Sequence, residues 1–110
     1  MHEYKAKLIR VIDGDTIDAT IDLGFDVWVK KRIRFLGINA PETRTKNLHE
    51  KQQGLEAKRR LQELLEASDG VFVLKSHGVV KYGRCLSEIF IGEVNINNLL
   101  IEEGLARTYK

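Results

Sequence analysis

An alternating pattern near the N-terminus limits the folds available to this chain of 110 residues. Apolar side chains alternate with polar ones from Ile17 to Asp22, which is the period-two pattern of a strand with one buried face. Strand-like segments flank it on both sides, Tyr4–Ile12 and Val27–Leu36. Tight turns at Asp13–Thr16 and Leu23–Asp26 separate the three segments, so we predict an antiparallel meander.

The second half of the chain predicts helices and further strands. Three-four spacing of leucines indicates a helix over Gly54–Ala67. Val71–Leu74 and Cys85–Ile91 are predicted strands, and the broken alternation of the second indicates a bulge. Asn95 is suited to cap a short C-terminal helix, which Gly104 would end.

The sequence predicts which residues of this helix face the core, and it predicts a polar loop before the helix. Thr43–Gln53 carries several cations without periodicity, so we predict a mobile loop there. The inner positions follow three-four spacing: Leu55, Lys58, Leu61, Leu64 and Leu65. Five strands with a helix between the third and fourth is the layout of an OB-fold barrel. We therefore predict one α+β, mainly β, domain over residues 1–110, with a small α+β sandwich as the alternative.

Composition narrows the classes of function. The formal charge is only +2, so any affinity for nucleic acid must come from local placement of charge. Cys85 is the single cysteine, which excludes an internal disulfide. No apolar run approaches a membrane span, and the first residues do not resemble a signal peptide. We expect a cytoplasmic monomer without membrane association, or a secreted one if a leader has been removed.

One stretch, Ile33–Glu42, combines a strand exit with groups suited to chemistry. Alternation places Arg34 on the face opposite its apolar neighbours, and Pro41 ends ladder pairing. Oxygen donors from Asn39 and Glu42 can converge there beside the arginine. Such a place suits a metal ion and a phosphate. Taken alone, however, the stretch favours a surface strand with an incidental charge, followed by a proline turn.

Two further motifs carry candidate chemistry. In the turn Asp13–Thr16 we expect Gly14 to take a backbone angle that other residues disfavour, and the aspartates to cap the turn. The second motif is Lys81–Arg84, a turn leading into the last predicted strand. Each motif alone predicts no more than a structural turn.

Together and in this order, these motifs resemble the staphylococcal nuclease (thermonuclease) family. The resemblance covers nearly the whole chain and includes three further segments: Gly54–Ala57, Val94–Asn95 and Glu103–Ala106. Members of that family are calcium-dependent phosphodiesterases on an OB-fold. They cut DNA and RNA and leave 3′-phosphate and 5′-hydroxyl ends, so the resemblance implies a nuclease with a nucleic-acid substrate.

The resemblance also implies a role for individual residues at the metal. Asp15 looks like the direct calcium ligand, Asn39 stands where the family usually has a second carboxylate, and Ala40 looks like the donor of a backbone carbonyl. Calcium prefers several oxygen ligands and tolerates irregular geometry. Because an amide oxygen is neutral, we predict weak calcium binding that a bound nucleotide strengthens.

The remaining implied roles concern the substrate. Glu42 resembles the residue that positions or deprotonates the attacking water. Arg34 and Arg84 look like the arginines that bind the scissile phosphate, and planar guanidinium groups match phosphate geometry. Lys81 and Tyr82 resemble contacts to a neighbouring phosphate or nucleotide.

Alternatives stay open at this stage. A non-catalytic OB module that binds nucleic acid or protein is the second reading, and Asn39 favours it. A third is a domain completed by another chain, because the best-known family member continues into a further helix. For Trp28 the alternatives are stacking on a base, and burial or simple strand packing, which is the expected one. Tyr109 would be either an aromatic platform for a nucleotide or part of a disordered end.

Overall fold

A computed structural model describes residues 2–79 and 83–109. Within them, the chain forms eight strands and two helices. In chain order these are β1 (His2–Asp13), β2 (Thr16–Asp22), β3 (Trp28–Phe35), β4 (Ile38–Asn39), α1 (Leu48–Glu66), β5 (Val71–Val79), β6 (Cys85–Ile91), β7 (Val94–Asn95), α2 (Ile96–Glu102) and β8 (Arg107–Thr108).

The five long strands form a closed barrel. They pair in the order β3-β2-β1-β5-β6, and all of these neighbours are antiparallel. Parallel pairing of β3 with β6, which sets Ile33 opposite Cys85, closes the barrel. The long helix α1 lies in sequence between the third and fourth barrel strands. The predicted α+β OB-fold barrel is therefore confirmed.

The strand alternation seen in the sequence points into the barrel core. Ile17 and Ala19 of β2 are fully buried, as are Ile33 and Phe35 of β3. Leu61 and Leu65 of α1 pack against the same cluster, together with residues of β5, β6 and α2. Burial of these apolar side chains holds the helix against the barrel and fixes the strand register.

Helix α1 starts earlier than its leucine spacing indicates. It begins at Leu48, because the side chain of Asn47 accepts hydrogen bonds from the backbone N–H groups of His49 and Glu50. The prediction of a loop over Thr43–Gln53 is thus wrong for its second half. The other end follows expectation, since Gly70 has a left-handed backbone and donates to the carbonyl of Leu65.

The inner face of α1 is also rotated from the predicted one. Gly54 and Ala57 are buried together with the two core leucines. Leu55, a predicted core residue, is 48% exposed, and that prediction is wrong. Small residues occupy the buried positions because the helix approaches two loops closely, as described below.

The C-terminal part packs onto the barrel edge. Asn95 caps α2, as predicted, by accepting from the N–H of Asn98. The buried amide of Asn97 donates to the carbonyl of Leu36 and accepts from the N–H of Ile89. Strand β8 pairs with β4, so the last described residues lie beside the exit of β3.

Two smaller expectations changed. The bulge expected in β6 lies in β5 instead, where the stretch between Ser76 and Val79 is one residue longer than the facing stretch of β6. Gly14 does not have a positive φ, so the expected backbone angle is wrong.

None of the helices described between residues 2 and 79 or 83 and 109 is long and apolar enough to cross a membrane.

Candidate active site

Asp15 ties the turn between β1 and β2 to the exit of β3. Its side chain is almost fully buried. One carboxylate oxygen accepts from the hydroxyl of Thr16 at 2.9 Å, and the other accepts from the N–H of Ala40 at 2.8 Å. Its carbonyl accepts from the N–H of Phe35. Asp15 is therefore held in place by neutral donors from two loops.

Arg34 lies at the centre of this group. Its Nη1 is 3.4 Å from Oδ2 of Asp15 and donates to the carbonyl of Phe35 at 3.2 Å. Its Nη2 donates to Oδ1 of Asn39 at 3.3 Å. Strand alternation explains the direction of the side chain, because the residues on either side of Arg34 fill the core.

Helix α1 supports the two loops that carry these groups. A Cβ atom at Gly54 would lie 2.5 Å from the carbonyl oxygen of Glu42, and one at Gly14 would lie 2.7 Å from Cβ of Ala57. Both distances are shorter than van der Waals contact allows. Glycine at positions 14 and 54 thus allows α1 to lie close to the two loops. The contact with Gly54 holds the backbone of Glu42 in place.

The side chain of Glu42 is less constrained than its backbone. It is exposed, and among residues 2–79 and 83–109 no hydrogen bond or ion pair holds it. Its carboxylate faces solvent next to the proline turn and is accessible to a water molecule or a substrate.

Arg84 lies just before β6 and is half-buried. It lines a cleft of about 690 Å³ together with Thr16, whose hydroxyl is bonded to Asp15. Asp15, Arg34, Asn39, Ala40 and Glu42 do not line this cleft, so Thr16 is the link between the cleft of Arg84 and the group around Asp15. The candidate substrate contacts Lys81 and Tyr82 lie outside the described residues.

The donor set has the chemistry that a calcium ion requires but few charges. Oxygens of Asp15 and Asn39 already converge on one cationic group, the guanidinium of Arg34. Hard oxygen donors of this kind fit calcium. In the part of the chain that the structure describes, however, no three His, Cys, Asp or Glu side chains are grouped to hold a metal. Asp15 and Asn39 together offer a cation hard oxygen donors but only one formal charge.

Comparison with known sequences assigns the chain to a family. Residues 32–110 match the family described as staphylococcal nuclease homologue. That range includes Arg34, Asn39, Glu42 and Arg84. The chain belongs to this family.

Named relatives of this chain support the assignment. It is 32% identical over 106 residues to a thermonuclease of Staphylococcus hyicus, covering 96% of this chain and 60% of the relative. It is 33% identical over 101 residues to the SPbeta prophage-derived endonuclease YokF of Bacillus subtilis, covering 91% and 32%. A thermonuclease of Staphylococcus intermedius is 35% identical over 98 residues, covering 89% and 55%. The chain thus spans from about a third to three fifths of these relatives' lengths.

This nuclease-family domain also has a charged cluster that the sequence reasoning missed. Asp18 is 4% exposed, although alternation predicts an outward position. Arg32 donates to both of its oxygens, at 2.9 and 3.2 Å, and Arg10 donates to one at 3.0 Å. The hydrogen bonds from Arg32, together with Arg10, hold the pKa of Asp18 below its usual range despite burial. A charge comparison across neighbouring strands would have found it, since Asp18 directly faces Arg10 on β1 and Arg32 on β3.

Two aromatic residues also take definite positions. Trp28 is 45% exposed and so is not buried, but the amino group of Lys7 on β1 lies above its ring, which is packing on the sheet. Tyr109 donates its backbone N–H to the carbonyl of Gly37, and its exposed ring lies 5.9 Å from the guanidinium of Arg34. Tyr109 therefore lies at the edge of the candidate site.

Proposed function

We propose that this domain is a calcium-dependent nuclease that hydrolyses phosphodiester bonds of DNA or RNA and leaves 3′-phosphate and 5′-hydroxyl ends. Membership of the staphylococcal nuclease family and relatives named thermonuclease and endonuclease support the proposal. The observation that carries it is the contact of Arg34 with Asp15 and Asn39 at an open edge of the barrel. It combines an anion-binding group with oxygen ligands for a cation.

The two arginines would bind the scissile phosphate. A phosphodiester is an anion, and negative charge builds on its oxygens as water attacks. The contacts of Arg34 with Asp15 and Asn39 are 3.3–3.4 Å long. Charge-assisted hydrogen bonds to phosphate are shorter, about 2.7–2.9 Å, so a phosphate can replace these partners. Arg84 would approach the same phosphate from the cleft, and Lys81 and Tyr82 would contact a neighbouring phosphate.

Glu42 would act as general base. Its exposed carboxylate is accessible to water, and the close packing of its backbone against Gly54 limits how far the loop can move. A carboxylate in hydrogen-bond reach of the attacking water can take its proton as the new P–O bond forms.

Asp15, Asn39 and the carbonyl of Ala40 would hold the calcium ion, which when bound supplies Lewis-acid polarisation of the phosphate. Asn39 contributes an oxygen without a charge, so binding of calcium alone is weak. The substrate phosphate supplies negative charge to the same place. Calcium and substrate should therefore raise each other's affinity.

Turnover of a labelled oligonucleotide, with calcium or with chelator, tests the proposal. We expect cleavage only with calcium, and 3′-phosphate ends in the products. Glu42→Gln and Arg84→Ala should each lower the rate by about a hundredfold or more. Glu93→Gln and Arg59→Ala remove the same charges from exposed positions elsewhere and should leave the rate unchanged. Full activity in chelator, or in the Glu42 and Arg84 variants, would contradict the proposal.

A non-catalytic nucleic-acid-binding module is the second candidate. The specific observation in its favour is the neutral amide of Asn39 in contact with Arg34. Under this alternative, oligonucleotides would bind but stay intact at saturating calcium, and Asn39→Asp would not restore cleavage. The turnover assay separates the two functions.

A further inference from the structure

A basic groove runs away from the candidate active site along β1, β2 and β3. Its first part is the 690 Å³ cleft that Arg84 and Thr16 line. A second cleft, of about 280 Å³, adjoins it and is lined by Arg44 and Lys58 beyond the strands. Arg10 and Arg32 line both clefts, so their side chains lie where the two clefts adjoin. We call the two clefts together the basic groove.

Positive charge is concentrated in this groove. The cationic lining residues are Arg10, Lys30, Lys31, Arg32, Arg44, Lys58 and Arg84. The anionic ones are Asp13 and Asp18. The whole chain has a formal charge of only +2, so the groove holds a local excess that the rest of the surface offsets. Such local excess attracts polyanions by raising their concentration near the surface.

Both carboxylates of the groove are already engaged within the protein. Asp13 accepts from the hydroxyl of Thr43 at 2.6 Å. Asp18 accepts from Arg32 and Arg10 and lies beneath them. The charge of Asp18 is therefore offset by the two arginines, whereas Asp13 keeps its charge, because a neutral hydroxyl does not offset it. Asp18 also orients both guanidinium groups at the junction of the two clefts.

The oriented arginines keep donors for a ligand. Arg10 uses its Nε toward Asp18, and its terminal nitrogens make no hydrogen bond within residues 2–79 and 83–109. Its side chain is 65% exposed and that of Arg32 is 45% exposed. A fixed fork of N–H donors matches the oxygens of a phosphate. The junction therefore offers an incoming phosphate several N–H donors.

We propose that the basic groove binds the sugar-phosphate backbone of a single nucleic-acid strand beyond the bond to be cut. The inference rests on the proposed function for the position of that bond, because Thr16 and Arg84 join the groove to the candidate active site. The strand runs from Arg84 past the Arg10–Arg32 junction to Lys58. A substrate long enough to reach Lys58 therefore binds more tightly than a dinucleotide.

Binding of fluorescein-labelled oligothymidylates tests this, with chelator present so that nothing is cut. The variant is Lys30→Gln/Lys58→Gln, which removes one charge from each cleft. The control is Lys5→Gln/Lys51→Gln, an equal charge change at exposed positions outside the groove. Each phosphate contact to a single strand adds about 0.7 to the slope of log affinity against log salt, which is roughly fivefold in affinity near 0.1 M salt.

We expect the groove variant to lose about 25-fold in octanucleotide affinity near 0.1 M salt, and its salt slope to fall by about 1.4. The control variant should match the original chain apart from a small general effect of charge. The loss should be much smaller for a dinucleotide, which does not reach Lys58. Equal affinities of the groove and control variants for the octanucleotide would overturn the proposal.

Cleavage with calcium separates this proposal from the function it rests on. If the octanucleotide binds through the groove but neither it nor the dinucleotide is ever cut, the groove stands and the nuclease proposal fails. If both are cut with equal kcat/KM, the nuclease proposal stands and the groove fails. A larger kcat/KM for the octanucleotide, lowered in the groove variant only, supports both.

Discussion

Two carboxylate–arginine groups lie three residues apart on β2 and its preceding turn, and they are built differently. Asp18 receives three charged hydrogen bonds of 2.9–3.2 Å from Arg32 and Arg10. Asp15 receives its short bonds from neutral donors, Thr16 and the N–H of Ala40, while Arg34 stays 3.4 Å away.

The difference separates a closed ion cluster from an open one. At Asp18 one carboxylate is shared by two arginines, so its charge is fully engaged, the arginines are oriented and one positive charge is left over. At Asp15 the carboxylate is fixed without using up the arginine, so Arg34 can exchange its long contacts for a phosphate. The open pair, Asp15 with Arg34, is therefore suited to catalysis. The closed cluster, Asp18 with Arg10 and Arg32, is suited to stabilising the fold and to binding substrate away from the cleaved bond.

The largest expected effect comes from removing each arginine in turn. Arg34→Ala should lower dinucleotide turnover by about a hundredfold or more, because a charged transition-state donor is lost. Its cost in the free energy of unfolding should be smaller than that of Arg32→Ala, because Asp15 keeps its short hydrogen bonds from Thr16 and Ala40.

Arg32→Ala is the variant to compare with Arg34→Ala, because it removes an arginine from the closed cluster at Asp18. It should destabilise the fold by about 1.5–3 kcal/mol, because the buried Asp18 loses two charged hydrogen bonds. Its effect on dinucleotide turnover should be much smaller than that of Arg34→Ala. Urea unfolding and kinetics on both variants measure this, and equal effects of the two variants on both quantities would remove the distinction.

The next effect concerns α1, which packs on the loops of the open pair. Gly54→Ala would place Cβ 2.5 Å from the carbonyl oxygen of Glu42, a backbone atom that cannot rotate away. We expect a loss of about 1–3 kcal/mol from overpacking, against a helix-propensity gain of about 1 kcal/mol, and a fall in turnover as Glu42 shifts. Gln53→Ala, exposed in the same turn, is the control in urea unfolding. A Gly54→Ala protein that is more stable than the original chain by the full helix-propensity gain of about 1 kcal/mol would disprove the close contact.

A smaller effect is expected at the metal ligands of the open pair. Asn39→Asp restores a charge beside Asp15 and should tighten calcium binding without substrate by roughly tenfold. Asn98→Asp adds the same charge at an exposed position of α2 and should leave calcium affinity unchanged. Calorimetric titration of calcium into the original chain, Asn39→Asp and Asn98→Asp measures the three affinities. If Asn39→Asp and the original chain bind calcium equally, position 39 is not a ligand.

The smallest effect is a pH dependence of the closed cluster. The pKa of Asp18 is lowered in the folded state, mainly by the hydrogen bonds from Arg32. Folded Asp18 therefore binds its proton less readily than unfolded Asp18. Its contribution to stability is fully present above the unfolded value of about 4 and is lost as pH falls through the lower folded pKa.

Asp18→Asn isolates this contribution from that of Glu103, whose pKa is lowered by Arg60. The stability difference between the original chain and Asp18→Asn should be largest near neutral pH and should shrink below about pH 4. Urea unfolding at several pH values measures it. A difference that is constant down to pH 2 would show that the cluster does not titrate.

Much of the fold and part of the site could be predicted from local patterns. The alternation around Ile17 predicted which face of β2 is buried, and Asn95 and Gly70 predicted helix ends. Both features depend on residues that are close together in the sequence. The same alternation placed Arg34 outside the core. The family motifs then indicated Asp15, Asn39 and Glu42, whose roles stay predictions.

Only the tertiary structure decided how these parts meet. Asp18 is buried because Arg10 and Arg32 cover it from two other strands, and Gly54 faces inward because a distant loop leaves no room for a side chain. Leucine spacing pointed instead to Leu55, which is exposed. Periodicity reports which side of an element is apolar, whereas close approach and charge pairing depend on residues far away in sequence. This is why the sequence determined the barrel, and the folded chain determined the groove and the support of the candidate site.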